Sequence, residues 1–429
     1  MQKNYINNWN EFCHPKDVHY IYDISEKDIL NQLINLKQLT FEVTDLCNLR
    51  CKYCGYGDFY NTHEKRENNF LSFSDAKALI DYLYNIWGHY SGTTFPRKIM
   101  FGFYGGEPLL NMNLIKQIIE YIDSLPKIEN TYFIYNMTTN ALLLDKYMNF
   151  IVEKKINLLI SLDGDEYSHS YRVDSSGKNS FHKVINNINN LKSKYPKYFD
   201  NYVTFNSVLH NRNSVKGIND FIYNKFKIRP FISELNTFGI CKDKLGEFNT
   251  MYHKVSSDVS YKDEKYFSYS SDMMGLFRFI EGMTKNTYYS YGSLLRKNVK
   301  YITPTGTCLP FEKKMFLTVK GKILACERID QKYVLGSVKN KEVYLNLKEI
   351  AQKYSSYYKK IRPVCQKCYM KVFCFQCLYN IPNLDNNTIS CPGFTNKMSF
   401  IQYVNYYCNI LHNRPELYKQ ISKDLLLQK

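Results

Sequence analysis

No stretch of the 429-residue sequence approaches eighteen consecutive apolar residues, which excludes a transmembrane helix. The opening residues Met1 to Asn10 lack the apolar core of a secretory signal, so the chain is expected to stay in the cytoplasm. Thiols are kept reduced there, and thirteen cysteines then argue for metal rather than disulfides. No Gly-x4-Gly-Lys-Ser/Thr phosphate loop and no Ser–His–Asp order is present, and the nine histidines show no clustered ligand spacing. Basic blocks are missing too. The net charge is +17, yet the lysines are dispersed and form only doublets such as Lys154-Lys155, Lys313-Lys314 and Lys359-Lys360. Nucleic acid is therefore not expected as a partner, while an acidic peptide would exploit the same positive field. No low-complexity linker or long repeat interrupts a chain whose length suffices for two domains.

What the chain does have is concentrated near its start. Leu39 to Val43 reads as a strand, and it breaks at Thr44-Asp45 into a loop carrying Cys47, Cys51 and Cys54. Three thiolates at this spacing can wrap one iron–sulfur cluster, whose fourth iron then stays open to a small molecule. A zinc site would more usually pair two CxxC units or add histidines, and no His lies in the loop. Zinc and buried free thiols are the alternatives on spacing alone.

Residues 1–38 read as a short extension, with a strand near His19 to Asp23 and a helix from Glu26 to Leu36 opened by Ser25. From Leu39, strands alternate with helices. Further strands are expected at Lys98 to Tyr104, Tyr132 to Met137, Asn157 to Leu162, Tyr202 to Leu209 and Pro230 to Ile232. Ser74 is expected to cap a helix with apolar face Ala76, Leu79, Ile80, Leu83, Tyr84 and Trp87. Other helices are expected at Leu114 to Leu125, Leu143 to Lys154, Phe181 to Lys194 and Val215 to Phe226. Strand–helix repeats in line imply an α/β fold with a parallel sheet, curled into a partial or full barrel. Sites in such folds gather at the C-terminal strand ends, where the cysteine loop lies. The barrel is expected over residues 39–233, a bridging region over 234–302 and a cysteine-rich domain over 303–429.

The second strand ends in Gly102-Phe-Tyr-Gly-Gly-Glu-Pro108, where two glycines allow close approach of a ligand and Glu107 can accept from an ammonium group. The CxxxCxxC loop with Tyr53, followed by Gly105-Gly106-Glu107, resembles the radical S-adenosylmethionine (SAM) superfamily. The resemblance, from Leu39 to Phe226, implies SAM bound to the open iron of a four-iron cluster and cleaved to a 5′-deoxyadenosyl radical. It implies that Gly105, Gly106 and Glu107 meet the SAM amino group and that the backbone near Tyr53 meets the adenine. Thr139 and Asn140 match a polar strand-end motif, and Ser161, Asp163 and Arg172 resemble ribose and carboxylate contacts. Read singly, Asp163 could be a turn-former and Arg172 a surface ion pair.

Seven cysteines lie between Cys308 and Cys391, in an order that resembles the SPASM domain, a twin-cluster extension of radical SAM enzymes that modify peptides and proteins. By that resemblance Cys308, Cys326 and Cys377 hold the nearer auxiliary cluster, and Cys365, Cys368, Cys374 and Cys391 the outer one. The last spacer, Phe375-Gln376, is one residue shorter than the family's usual three. The nearer cluster has three thiolates, with Lys314 near where some relatives supply a fourth, so its open iron could take a substrate thiolate. Glu327 stands where sulfatase-maturing relatives carry an acidic base. Cys13, Cys241 and Cys408 are expected to be buried structural thiols, with Cys241 as reserve ligand or proton carrier.

The expected function is a radical SAM/SPASM maturase acting on a ribosomally made precursor peptide with an acidic leader, forming a thioether, carbon–carbon or carbon–oxygen crosslink. Its cofactors would be SAM and three 4Fe-4S clusters, with a reductase, flavodoxin or ferredoxin as electron donor. A sulfatase-maturing enzyme is the first alternative. A tRNA-modifying enzyme and a non-catalytic electron carrier are the others.

Overall fold

A computed structural model of the chain describes residues 18–20, 22–90, 96–259, 271–283, 300–302, 309–371, 374–382, 384–386 and 389–427, so Cys13 and Cys308 fall outside it. The first expected elements appear as strand β1 (Val18–Tyr20) and helix α1 (Glu26–Ile34). Ser25 opens α1: its hydroxyl accepts the Asp28 N–H at 3.2 Å, and the Asp28 carboxylate accepts the Ser25 N–H at 2.8 Å. This reciprocal pair satisfies two helix-end donors at once.

Six parallel strands follow: β2 (Gln38–Thr44), β3 (Arg97–Gly105), β4 (Thr131–Thr139), β5 (Asn157–Ser161), β6 (Val203–Leu209) and β7 (Phe231–Glu234). Each is hydrogen-bonded to the next. Between them run α2 (Phe73–His89), α3 (Met112–Ser124), α4 (Leu144–Glu153), α5 (Phe181–Lys194), α6 (Pro196–Tyr202) and α7 (Val215–Phe226). Along β2, Leu39, Phe41 and Val43 on one face and Thr40, Glu42 and Thr44 on the other are all buried. That is the pattern of a strand covered on both sides.

The cap of helix α2 lies two residues before the expected Ser74. Ser72 takes the extended cap conformation, its hydroxyl accepts the Asp75 N–H at 3.1 Å, and it donates to the Asp75 carboxylate at 2.7 Å. Three residues beyond Ser74 stands Lys77, which offers no carboxylate, so Ser72 makes the better cap. The apolar face buries Ala76, Leu79, Ile80, Leu83 and Trp87 as the periodicity requires, with the Trp87 indole donating to the Leu33 carbonyl at 3.0 Å.

Helices α8 (Leu245–Met251), α9 (Val255–Asp258) and α10 (Ser271–Met283) come next. Strand β8 (Lys300–Ile302) then pairs in parallel with β1. Strand β9 (Lys314–Leu317) pairs in parallel with β2. Beyond it β10 (Lys322–Leu324), β11 (Gly336–Lys339) and β12 (Glu342–Tyr344) add antiparallel neighbours. The result is an open ten-stranded sheet with β12 and β7 at its edges, so the barrel is partial.

Two compact units form, and they do not follow consecutive blocks of sequence. Residues 30–258 and 310–346 make the barrel unit; residues 1–29, 259–309 and 347–429 make the other. The β2–β9 ladder draws 310–346 into the barrel, although the sequence groups it with the cysteine-rich segment. In the second unit, α11 (Leu347–Lys367), α12 (Lys397–Asn413) and α13 (Glu416–Leu427) join α10. Leu276, Phe279 and Ile280 of α10 pack with Tyr407, Ile410, Leu417 and Ile421. Gly275 permits this approach, because a β-carbon there would fall 1.7 Å from the Tyr407 hydroxyl.

Replacing the α2 cap, Ser72→Ala, is expected to lower stability by about 1 kcal/mol, read as a shifted midpoint in urea unfolding. The same change at Ser74 should shift it by less than half as much.

Candidate active site

The C-terminal ends of β2 to β6 bring the singled-out residues of the barrel to one rim. The cysteine loop follows β2 and is held from both sides. On one side the Asp45 carboxylate accepts the Asn69 N–H at 2.7 Å, the Asn69 amide at 2.9 Å and the Glu67 N–H at 3.2 Å. On the other, the Arg50 and Lys52 N–H groups donate to the carbonyls of Val173 and Tyr171 at 2.6 and 3.0 Å. Burial pushes the thiols up, Cys47 to about 11 and Cys51 to about 12. Thiolates at these positions therefore call for nearby positive charge, which bound iron would provide. Among the described residues no three His, Cys, Asp or Glu side chains close on a single ion-sized centre. Three thiols carried on one pinned loop are a donor set of the kind that holds a four-iron cluster.

Gly105 and Gly106 lie directly on this loop. Gly105 has φ +131°, and a β-carbon on it would fall 2.1 Å from the Thr44 carbonyl oxygen; one on Gly106 would fall 2.0 Å from that of Leu46. The Gly106 and Glu107 N–H groups donate to the same two carbonyls, at 2.8 and 2.9 Å. The glycines thus serve the approach of backbone to backbone. Glu107 is buried with its carboxylate engaged. It accepts from the Thr139 hydroxyl at 2.6 Å, the Asn140 N–H at 2.7 Å and the Leu109 N–H at 3.1 Å. Burial pushes its carboxyl up to about 7 against the pull of those bonds. The side chain ties the ends of β3 and β4 together, which the expectation of an ammonium contact did not include. Asn140 completes the tie, its amide donating to Asn48 at 2.8 Å and reaching the Cys47 sulfur at 3.9 Å. The next residue, Ala141, takes the left-handed conformation at φ +61°, an uncommon one for a residue with a β-carbon.

Ser161 ends β5, opposite Asn206 of β6. Asp163 and Arg172 are spent on each other: the guanidinium donates to both carboxylate oxygens, at 2.8 and 3.0 Å, and both residues are buried. Neither the turn nor the surface ion pair describes them. Asp163 also accepts from the Val208 N–H at 2.9 Å and from the Tyr53 hydroxyl. Burial would raise its pKa, but the Arg172 charge and the donors around it hold the carboxyl well below the usual range. The Tyr53 ring stacks on His210 at 5.5 Å, with the Arg172 guanidinium 5.4 Å away. His169 lies in the same network, and burial lowers it to about 4. His169 and His210 carry no local motif, because their roles come from tertiary contacts, His169 with Asp163 and Ser180 and His210 with Tyr53. Tyr53 sits inside the CxxxCxxC loop, so this network clamps the loop to the ends of β5 and β6.

In the second unit Cys365, Cys368, Cys374 and Cys391 line one cavity. Cys377 instead precedes a short helical turn at Leu378–Asn380. Cys326 belongs to the barrel unit. Beside it, Glu327 accepts two hydrogen bonds from Lys314, at 2.9 and 2.8 Å, and one from the Cys326 thiol at 3.3 Å. Burial would raise the carboxyl, but Lys314 outweighs it and the pKa is lowered. Lys314 is therefore engaged as an ion-pair partner. Cys241 is half-buried, and Cys408 is exposed on α12, against the expectation of a buried thiol.

Residues 41–221 match the Radical SAM superfamily. This segment is a radical SAM domain. A cysteine-type anaerobic sulfatase-maturating enzyme of Clostridium novyi is 28% identical over 200 residues, 46% of this chain and 49% of that protein. The radical SAM cyclopropyl synthase TigE of Paramaledivibacter caminithermalis is 26% identical over 41% of the chain and 35% of its own length. The chain thus spans half or less of the length of these two relatives. A GTP 3′,8-cyclase of Clostridium acetobutylicum is 29% identical over 72% of the chain and 86% of its own length. Native anSMEcpe with bound AdoMet has a similar fold, with TM-score 0.57 and 17% identity over 90% of this chain and 99% of that one. The radical SAM domain is here the partial barrel, and the cysteine-rich segment follows it in sequence.

Asp163→Asn leaves the Arg172 guanidinium buried without its counter-ion and is expected to cost about 3 kcal/mol or more in unfolding free energy. Tyr53→Phe, which removes one hydrogen bond, should cost about 1 kcal/mol. Urea titration of both variants checks the order.

Proposed function

We propose that the chain is a radical SAM maturase that modifies a ribosomally synthesised peptide by hydrogen-atom abstraction, forming a crosslink. The observation that carries the reading is the direct bonding of the Gly105–Glu107 turn to the backbone of the cysteine loop, within a domain matching that family. When bound, SAM and a four-iron cluster on Cys47, Cys51 and Cys54 supply a 5′-deoxyadenosyl radical able to take a hydrogen atom from carbon. The chain's own residues place and seal. The Gly105–Gly106 backbone would meet the SAM amino group, on a turn that Thr139 and Asn140 hold through Glu107. Ser161 would contact the ribose. Asp163 and Arg172, engaged with each other, act there by fixing Tyr53 and the backbone around it. Cys365, Cys368, Cys374 and Cys391, which line one cavity, would hold one auxiliary cluster; the resemblance to the SPASM domain implies a second one for Cys308, Cys326 and Cys377. Glu327 stays ionised beside Lys314 and is placed to accept a proton or hold the substrate.

Support for a peptide substrate comes from the similar fold of anSMEcpe, solved with AdoMet and the Cp18Cys peptide. The sulfatase-maturating relative, which acts on a protein by its name, points the same way. The GTP 3′,8-cyclase aligns over more of the chain and favours a second reading, a small-molecule substrate. Anaerobic incubation with SAM, dithionite and either a Cys-bearing peptide or GTP separates them. Loss of two hydrogens with masked thiols marks a crosslink, a hydrazide-trapped aldehyde marks formylglycine, and consumption of GTP alone marks the cyclase.

Replacing Cys47, Cys51 and Cys54 together by Ala is expected to abolish 5′-deoxyadenosine formation while leaving about eight irons per chain on the auxiliary cysteines. Iron near zero would contradict two independent auxiliary clusters.

A further inference from the structure

A polar cavity lies beside the cysteine loop, within the barrel unit, lined in part by Glu42, Tyr56, Arg66, Thr318 and Val319. Two polar atoms of its lining are sealed from solvent without a hydrogen-bond partner: the Tyr56 hydroxyl oxygen and the Arg66 Nε. Buried donors left unmade are costly, so a ligand oxygen that accepts from both is favoured. The guanidinium lies 4.2 Å from the Tyr56 ring centroid, a cation–π contact that orients it. No carboxylate pairs with Arg66 among the described residues.

The acidic groups nearby are already engaged. Asp45 accepts from Asn69 and Glu67, and Glu64 pairs with Lys320 and Lys322. Glu42 accepts the Val319 N–H at 3.1 Å, and its burial raises the carboxyl to about 7, which removes much of its charge near neutral pH. The net result is one cavity whose lining includes a cation and a hydroxyl, each with an unmet donor. That space borders the chemistry. Tyr56 lies two residues beyond Cys54 with its ring 6.3 Å from Tyr104, and Glu327 exerts its charge on both tyrosines.

We propose that this cavity seats a carboxylate side chain, Asp or Glu, of the peptide substrate, with the Arg66 guanidinium and the Tyr56 hydroxyl as its donors. The assignment rests on the peptide-modifying reading above. It puts an acidic residue close to the modified position and gives the positive field of the chain a local endpoint. A guanidinium edge next to a hydroxyl suits the two oxygens of a carboxylate, and an uncharged amide would leave one donor facing an N–H group.

The test uses the full chain, reconstituted anaerobically, and acetylated, amidated pentapeptides Gly-Gly-Xaa-Gly-Gly with Xaa as Asp, Glu, Asn or Gln. A pentaglycine with a free C-terminus represents the other source of a carboxylate. Calorimetric titration should show Asp or Glu bound about tenfold more tightly than its amide, the size of effect a charge-assisted pair gives. In Arg66→Gln the preference should fall within about twofold, in Arg66→Lys part of it should return, and Tyr56→Phe should weaken it by about threefold. Iron content and thermal midpoint matching the parent protein establish that each variant is folded, and Arg66→Lys keeps the charge should Arg66→Gln fail to fold. Equal binding of acids and amides, or a preference that survives Arg66→Gln, overturns the proposal. Binding of only the free C-terminus overturns the side-chain assignment. Absence of 5′-deoxyadenosine from the parent protein would strike the proposed function while leaving the carboxylate measurement standing.

Discussion

Two hydrogen atoms where other residues carry a β-carbon hold the site together. At Gly105 and Gly106 the turn after β3 comes so near the backbone of Thr44 to Leu46 that any side chain would meet a carbonyl oxygen at about 2 Å. The two backbone hydrogen bonds made there join the strand end carrying Glu107 to the strand end carrying the cysteines. Everything else at the rim is arranged around that contact. Glu107 passes it on to Thr139 and Asn140, and Asn140 returns it to Asn48 in the cysteine loop. The loop is thus fixed by a closed circuit of backbone and short polar side chains.

The opposite flank of the loop is fixed by charge. A fully buried carboxylate and guanidinium repay their desolvation only with good geometry and full hydrogen bonding, and Asp163 and Arg172 have both. Removing either partner would strand the other, so the pair behaves as one unit with Tyr53 attached to it. A residue inside the cluster-binding loop is in this way anchored to β5 and β6. Such a clamp suits a centre where small displacements of a bound ligand matter.

The barrel unit also borrows from far along the chain. Strand β9 pairs with β2, and with it come Lys314, Cys326 and Glu327, so the radical SAM domain is extended by a segment distant in sequence. The four cysteines around one cavity in the second unit form a separate thiol-rich place. The cavity that holds Tyr56 and Arg66 has a wall of each origin: the loop after β2 and the turn after β9.

Local patterns in the sequence were enough for the alternating elements, since apolar periodicity is a property of neighbouring residues. Strands β2 to β7 end within two residues of where that periodicity puts them. The Ser72 cap shows the limit even of local reading, because the carboxylate at Asp75 chooses between two nearby serines. Cysteine spacing and the two glycines marked the rim, because covalent geometry restricts which spacings can wrap a cluster or close a turn. Which way a side chain faces was left to the tertiary structure. The bonds of Glu107 to Thr139 and Asn140 and the stacking of His210 on Tyr53 join residues from different strand ends, while the pairing of Asp163 with Arg172 and the unpaired donors of Tyr56 and Arg66 depend on how one long connection folds against the sheet. The exposure of Cys408 belongs with them, since burial depends on what the rest of the chain packs against it. Sequence by itself determined the elements and the spacing of the thiols; the packing of connections against the sheet decided which polar groups are satisfied by the protein and which are not, because a side chain's partners come from whatever the chain brings beside it.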